Sequence, residues 1–135
     1  MKVVLDDYAI EPTRGHPTDA GLDLYSPVDI WLHPGHHIMI DTGVHVEIPD
    51  GYVGLITSKS GLMAQGITSR GTIDCGYTGS IKAVLYNSGA EGLLITRGRK
   101  ITQLVVLPCL IPEIEIVESL DETDRGDGGF GSTGV

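Results

Sequence analysis

The chain has 135 residues, 18 acidic against 9 basic side chains, and a formal net charge of −9. That length fits one domain, which buries about two-thirds of its unfolded surface and needs no disulfides to fold. The acidic balance speaks against polymeric nucleic acid as a partner, since that needs a basic face, and the lack of a long apolar run or signal-peptide pattern speaks against a membrane and for a cytoplasmic protein.

Taken in chain order, the elements are short strands. Val28–Leu32, His36–Asp41 and Val44–Ile48 come first, and in the last of these Val44, Val46 and Ile48 alternate with His45 and Glu47. The turn Pro49-Asp50-Gly51 leads into a strand at Tyr52–Thr57. Ser60–Gln65 alone looks helical, at under two turns. Gly71–Asn87 reads as a β-hairpin, with Ile81, Ala83 and Leu85 alternating with Lys82, Val84 and Tyr86. Ile101–Leu107 and the alternating Ile114-Glu115-Ile116 are the last strand candidates. Strands this short, punctuated by Ser26-Pro27, Pro34-Gly35, Ser88-Gly89 and Arg97-Gly98, predict an all-β sandwich, barrel or jelly roll.

The acidic stretch Ser119–Asp124 reads as a solvated linker. Beyond it, Arg125–Gly134 holds five glycines around one arginine, one phenylalanine and two hydroxyls. Glycine runs build no core. The side chains present are nonetheless those a nucleotide uses. Arg125 is a fork of donors for phosphate, Phe130 a plate for a base, and Ser132 and Thr133 short donors. Gly131 and its neighbours let main-chain N–H groups approach phosphate oxygens. The reading is a flexible flap that orders over a nucleoside triphosphate, with a disordered linker end as the alternative.

Other candidates are weaker. His33, His36 and His37 flank a Pro-Gly turn, and His36 and His37 would point to opposite faces of a strand, so a surface turn is favoured over a metal set. Cys75 and Cys109 form no C-x-x-C pair; reduced thiols are the simpler reading and one disulfide the alternative. Neither a Gly-x-Ser-x-Gly elbow nor a Gly-Lys-Ser phosphate loop occurs.

Five segments, in order, resemble the five motifs of the trimeric dUTPase family. They are Ala20–Leu24, Lys59–Leu62, Gly71–Tyr77 running on to Asn87, Gly98–Leu104, and the glycine-rich tail. The resemblance implies a β jelly roll at residues 1–118, followed by a linker and arm at 119–135 that closes over an active site. It further implies a homotrimer whose active sites are each built from three subunits. The implied reaction is Mg²⁺-dependent hydrolysis of dUTP to dUMP and pyrophosphate, which removes dUTP and supplies dUMP for dTMP synthesis. The implied setting is the cytoplasm, or the host cytoplasm for a viral source.

By the same resemblance, Asp74 activates the water that attacks the α-phosphorus. A carboxylate suits the role, and pocket burial would raise its pKa toward working pH. Tyr77 would lie beneath the deoxyribose and exclude a 2′-hydroxyl. Hairpin backbone around Gly71, Ile73 and Lys82 would read the uracil edge, where cytosine leaves buried polar groups unpaired. Ser60 and Gly61, at the helix start, would hold the leaving pyrophosphate, and Gln103 the α-phosphate. Asp23 either contacts the water shell of a Mg²⁺ carried by the phosphates or makes a structural contact with another motif.

Two departures from the family pattern matter. Lys59 stands where arginine usually precedes the motif-two serine, keeping the charge but losing the bidentate fork. Gly98-Arg99-Lys100 replaces Gly-Asp-Arg, so a usual acidic group has become basic. Among rivals, dCTP deaminase shares the fold but needs a glutamate proton shuttle where this chain has Val84. A non-catalytic interaction protein is the third reading.

Overall fold

The computed structural model describes residues 1–134. Ten strands and one helical turn run β1 (Val3–Leu5), β2 (Gly21–Tyr25), β3 (Ile30–Leu32), β4 (His37–Asp41), β5 (Val44–Val46), β6 (Tyr52–Ser58), α1 (Ser60–Met63), β7 (Ile67–Ile73), β8 (Lys82–Asn87), β9 (Leu93–Ile95) and β10 (Lys100–Pro108). Six of the strands make one curled sheet in the order β2-β10-β6-β7-β8-β4, flanked by the two-stranded pairs β1-β5 and β3-β9. All the strand pairs are antiparallel. The predicted jelly roll is therefore the observed fold class, helix included.

The register follows from burial. Two apolar clusters form the core. Leu24, Val44, Val46, Ile48, Ile56, Ile73, Ile81 and Leu104 make one, and Leu32, Ile40, Leu62, Ile67, Ala83, Leu85, Ile95 and Ile101 the other. The predicted alternation of Ile81, Ala83 and Leu85 puts all three fully inside. Each such leucine or isoleucine contributes about 1.5–3 kcal/mol of burial, and a one-residue slip would turn the whole set outward. The Pro49-Asp50-Gly51 turn closes by a bond from the Tyr52 N–H to the Pro49 carbonyl at 3.1 Å, with Gly51 at φ +80°. That left-handed position is why glycine stands there.

One strand expectation is corrected. Ile114-Glu115-Ile116 pairs with nothing in this chain, and both isoleucines are more than nine-tenths exposed. Alternation makes a strand only where a neighbour completes the ladder, and the strand fabric ends at Pro108. Conversely, β1, β2 and β9 are present without having been predicted, because three to five residues hold too little periodicity to register.

Candidate active site

The hairpin β7–β8 pairs Ile67, Thr68 and Ser69 with Asn87, Tyr86 and Leu85, leaving 74–81 as the loop between strands. There the chain folds a hollow of about 220 Å³ lined by Thr72, Ile73, Asp74, Tyr77, Ser80 and Lys82. Four sequence-predicted residues thus meet in one pocket. The Tyr77 N–H bonds the Asp74 carbonyl at 3.0 Å, and the Tyr77 hydroxyl donates to the Ser80 carbonyl at 3.0 Å, which fixes the ring at the mouth. The ring is half-exposed, presenting a face rather than filling the core.

The Lys82 ammonium is engaged, donating to Asp41 at 3.0 Å and Ser80 at 3.1 Å. Its backbone remains the element that could read a base. Burial alone would push the Asp41 carboxyl up, but bonds from Ser80, the Gly43 N–H and Lys82 overcome it and bring it to about 2. Sequence reasoning missed His45. Its Nδ1 bonds the Thr78 carbonyl at 2.8 Å and its Nε2 faces Asp6 at 3.3 Å, tying the loop to β5. No signal in a lone strand histidine would have announced that contact. Asp74 itself is exposed, so the burial expected of it is not supplied by this chain.

The phosphate candidates gather elsewhere. Asp23 on β2 is 3% exposed and lies opposite Gln103 on β10. Lys59 donates to Asp23 Oδ1 at 2.5 Å and Lys100 to Asp23 Oδ2 at 2.7 Å. Burial would raise the Asp23 carboxyl, yet the two ammonium groups hold it below the usual carboxylate range. Of the two readings kept open for Asp23, the contact with other motifs is present, joining motifs one, two and four. The residue that completes it is Lys100 of the Gly98-Arg99-Lys100 departure, to which sequence reasoning assigned no role of its own. Arg99 uses its main chain, accepting from the Ser26 N–H and donating to the Thr96 carbonyl.

Local structure explains why these groups emerge together. The Ser69 and Thr102 hydroxyls are 2.6 Å apart in the core, Thr102 donates to the Thr57 carbonyl at 2.8 Å, and the Ser58 hydroxyl donates to the Ser69 carbonyl at 3.1 Å. This buried web locks the end of β6 from which Lys59, Ser60 and Gly61 leave. The Leu62 and Met63 N–H groups both reach the Lys59 carbonyl, so the Ser60 and Gly61 N–H groups precede the first helical bond. With only four residues in α1, these groups, rather than a macrodipole, are what the turn offers an anion. Gln103 donates to the Ser58 carbonyl at 3.2 Å and lies across Gly21, where a Cβ would overlap its amide. A side chain at 21 would displace the Gln103 amide from this position.

The two groups do not meet within one chain. Ile73, the residue before Asp74, pairs with Gly54, whereas Gln103 and Asp23 lie level with Thr57 near the other end of β6. From Gly54 to the strand end at Ser58 is roughly 13 Å of strand. The arm stands apart from both. Arg125 donates to the Gly128 carbonyl at 3.0 Å, Ser132 and Gly134 close local turns, and Phe130 is fully exposed. Gly131, Ser132 and Thr133 likewise touch neither group.

Among the described residues no three His, Cys, Asp or Glu side chains converge as a metal set. In the histidine turn, the Trp31 indole N–H donates to His33 Nδ1 at 3.1 Å, which puts the proton of a neutral His33 on Nε2 and leaves it no lone pair for a metal. No helix among these residues is long and apolar enough to cross a membrane.

Comparison with known proteins places this geometry. The dUTPase family model matches residues 7–134. A deoxyuridine 5′-triphosphate nucleotidohydrolase of Rhodococcus erythropolis is 46% identical over 128 residues, covering 91% of this chain and 78% of that one. One from Anaplasma marginale is 47% identical over 130 residues, covering 92% and 88%. Among solved structures, a mutant dUTPase of Staphylococcus bacteriophage 80alpha with dUpNHpp superimposes with a TM-score of 0.91 at 33% identity, covering 99% of this chain and 98% of that one. A mutant dUTPase of phage phi11 of S. aureus, described with a structural Mg(II) ion, gives 0.79 at 33% identity, covering 87% and 96%. The chain belongs to the dUTPase family, enzymes that hydrolyse dUTP to dUMP.

Proposed function

We propose that the protein is a homotrimeric dUTP pyrophosphohydrolase whose active site is shared between subunits. The observation that carries this reading is the separation along β6. A nucleotide seated in the hairpin hollow has its α-phosphate a few ångströms from the sugar, but Ser60, Gln103 and Lys59 of the same chain lie at the far end of the strand. In this reading a second copy brings them. The concentration of exposed apolar side chains at Leu110, Ile111, Ile114, Ile116 and Leu120 supports contact with neighbours, since clustered exposed apolar surface marks interaction sites.

In the assembled site, uracil enters the hollow against the backbone of Gly71, Ile73 and Lys82. Tyr77 packs under the deoxyribose and leaves no room for a 2′-hydroxyl. Asp74 accepts a proton from a water, which attacks the α-phosphorus in line with the bridging oxygen toward the β-phosphate. That P–O bond breaks, and the electron pair leaves on pyrophosphate. Ser60, with the Ser60 and Gly61 N–H groups, stabilises the leaving oxygens, while Gln103 holds the α-phosphate. Residues 119–135 serve as linker and arm. Arg125, Gly131, Ser132 and Thr133 close on the phosphates and Phe130 on the base, excluding water.

The donor set fits Mg²⁺ bound by triphosphate oxygens and waters, the arrangement this ion prefers. Asp23 keeps lone pairs beyond those its lysines use, enough to accept from one metal-bound water. When bound, the ion neutralises charge on the phosphates. The test is pyrophosphate release from dUTP, dCTP, dTTP and UTP at equal concentration with Mg²⁺, alongside light scattering for mass. Release from dUTP alone by a trimer is expected; a monomer with full turnover would overturn the shared site.

A further inference from the structure

Asp23 holds one more cation than it needs. The carboxylate is nearly sealed from solvent, its side chain 5% exposed, and one lysine would neutralise it. Two are present, one on each oxygen. The triad therefore carries a surplus positive charge at the end of β6 beside Ser60. An arginine fork would take both oxygens at once, whereas lysine is a point charge and takes one. Here two separable cations share one buried anion.

The two lysines are not equivalent. Lys100 opens β10, where it pairs with Tyr25, and its ammonium also lies 6.0 Å from the centre of the Tyr25 ring. Sheet pairing and the ring face hold it in place. Lys59 lies between β6 and α1, immediately before the candidate phosphate donors, with Asp23 as its one ion-pair partner among the described residues. Withdrawing the sole partner of a buried charge is strongly unfavourable. Withdrawing one of two leaves a neutral pair.

We propose that Lys100 is a positioning residue that frees Lys59: it stays on Asp23 and keeps that carboxylate neutral while Lys59 leaves for the triphosphate. This rests on the dUTPase reading of the site. Lys100 acts on phosphate only through Lys59, so its removal should trap Lys59 on Asp23 and weaken phosphate capture without touching the nucleoside end. The affinity of Asp23 for Lys100 is visible in the lysine itself, whose ammonium form is favoured chiefly by that hydrogen bond.

The experiment begins with wild-type pyrophosphate release from dUTP. Its absence would overturn the dUTPase reading and this inference with it. With turnover established, Lys100→Gln keeps a donor for Asp23 and removes the charge. It is expected to raise KM for dUTP about tenfold with kcat within twofold, and to leave the inhibition constant of deoxyuridine, which has no phosphate, unchanged. Lys100→Arg should restore KM. Lys59→Met should raise KM by itself, and adding Lys100→Gln to it should raise KM no further, since coupled residues are non-additive. An unchanged KM in Lys100→Gln, or an additive double variant, would overturn the inference while leaving the dUTPase reading intact. So would a Lys100→Gln protein that fails to fold beside a Lys100→Arg protein of normal KM, because the lysine would then be structural.

Discussion

The hairpin pocket and the C-terminal arm are both short on core, yet they are held in opposite ways. The pocket loop 74–81 is bracketed by paired strands and pinned by His45 to Thr78, Tyr77 to Ser80, and Lys82 to Asp41. Among the described residues, the arm from Arg125 to Gly134 bonds only to itself and to the adjoining Thr123, and its one aromatic ring rests on nothing. Selectivity for base and sugar needs fixed geometry, because a pocket that gives way cannot reject a wrong edge. Closure needs a segment with little to lose when it moves, and glycine-rich chain with no packed side chains is that segment. On the proposed function, the chain separates recognition, built into the sheet, from sequestration, left to the arm.

The largest test of the comparison lies on the fixed side. Asp74→Asn keeps the shape of the pocket and removes the base. Turnover should fall by about 10³-fold, in the range general bases supply, while dUTP binding measured by calorimetry persists. A kcat near wild type would move the base elsewhere. Because the Asp74 side chain is exposed in the single chain, thermal stability should not change.

Next comes the mobile side. Removing residues 125–135 should lower kcat by roughly 100-fold through lost sequestration and lost phosphate contacts. The melting temperature should stay put, since no described residue of the arm packs on the core. A collapse in melting temperature would show the arm to be structural and erase the contrast. Within the arm, Phe130→Ala isolates the ring. An aromatic contact is worth about 1 kcal/mol, so KM should rise severalfold with the fold unchanged; unaltered kinetics would remove Phe130 from the site.

What the sequence made legible divides along similar lines. The pocket residues Ile73, Asp74, Tyr77 and Lys82 are neighbours along one hairpin, so their convergence follows from local order, and the structure brings them together. The Asp23–Lys59–Lys100 triad joins β2, β10 and the junction after β6. Its existence depends on register across β2, β10 and β6, which periodicity does not specify. The strand misread at Ile114–Ile116 marks the same limit from the other side: alternation shows which faces are apolar, but a ladder needs a partner the single chain does not hold. His45 was invisible for a third reason, since its carbonyl partner is backbone and carries no residue signature.

The smallest expected effect tests how firmly the pocket loop is pinned. The bond to the Thr78 carbonyl, and after it the Asp6 carboxylate, raise the His45 imidazole above its ordinary 6.5, against the opposing effect of burial. A raised folded-state pKa means the protonated form is the one the fold favours. Its stabilisation is fully present below the unfolded value and is lost as pH rises through the folded value. His45→Gln should therefore melt a few degrees below wild type at pH 6, with the gap closing by pH 8.5. The group is partly exposed, so the gap should shrink further in high salt. In wild type, KM for dUTP should drift upward over the same pH interval as Thr78, and Tyr77 beside it, lose the anchor. A melting difference that does not vary with pH would mean that the imidazole holds the loop by shape alone, and the rigidity of the pocket would then rest on the strands and on Tyr77 and Lys82.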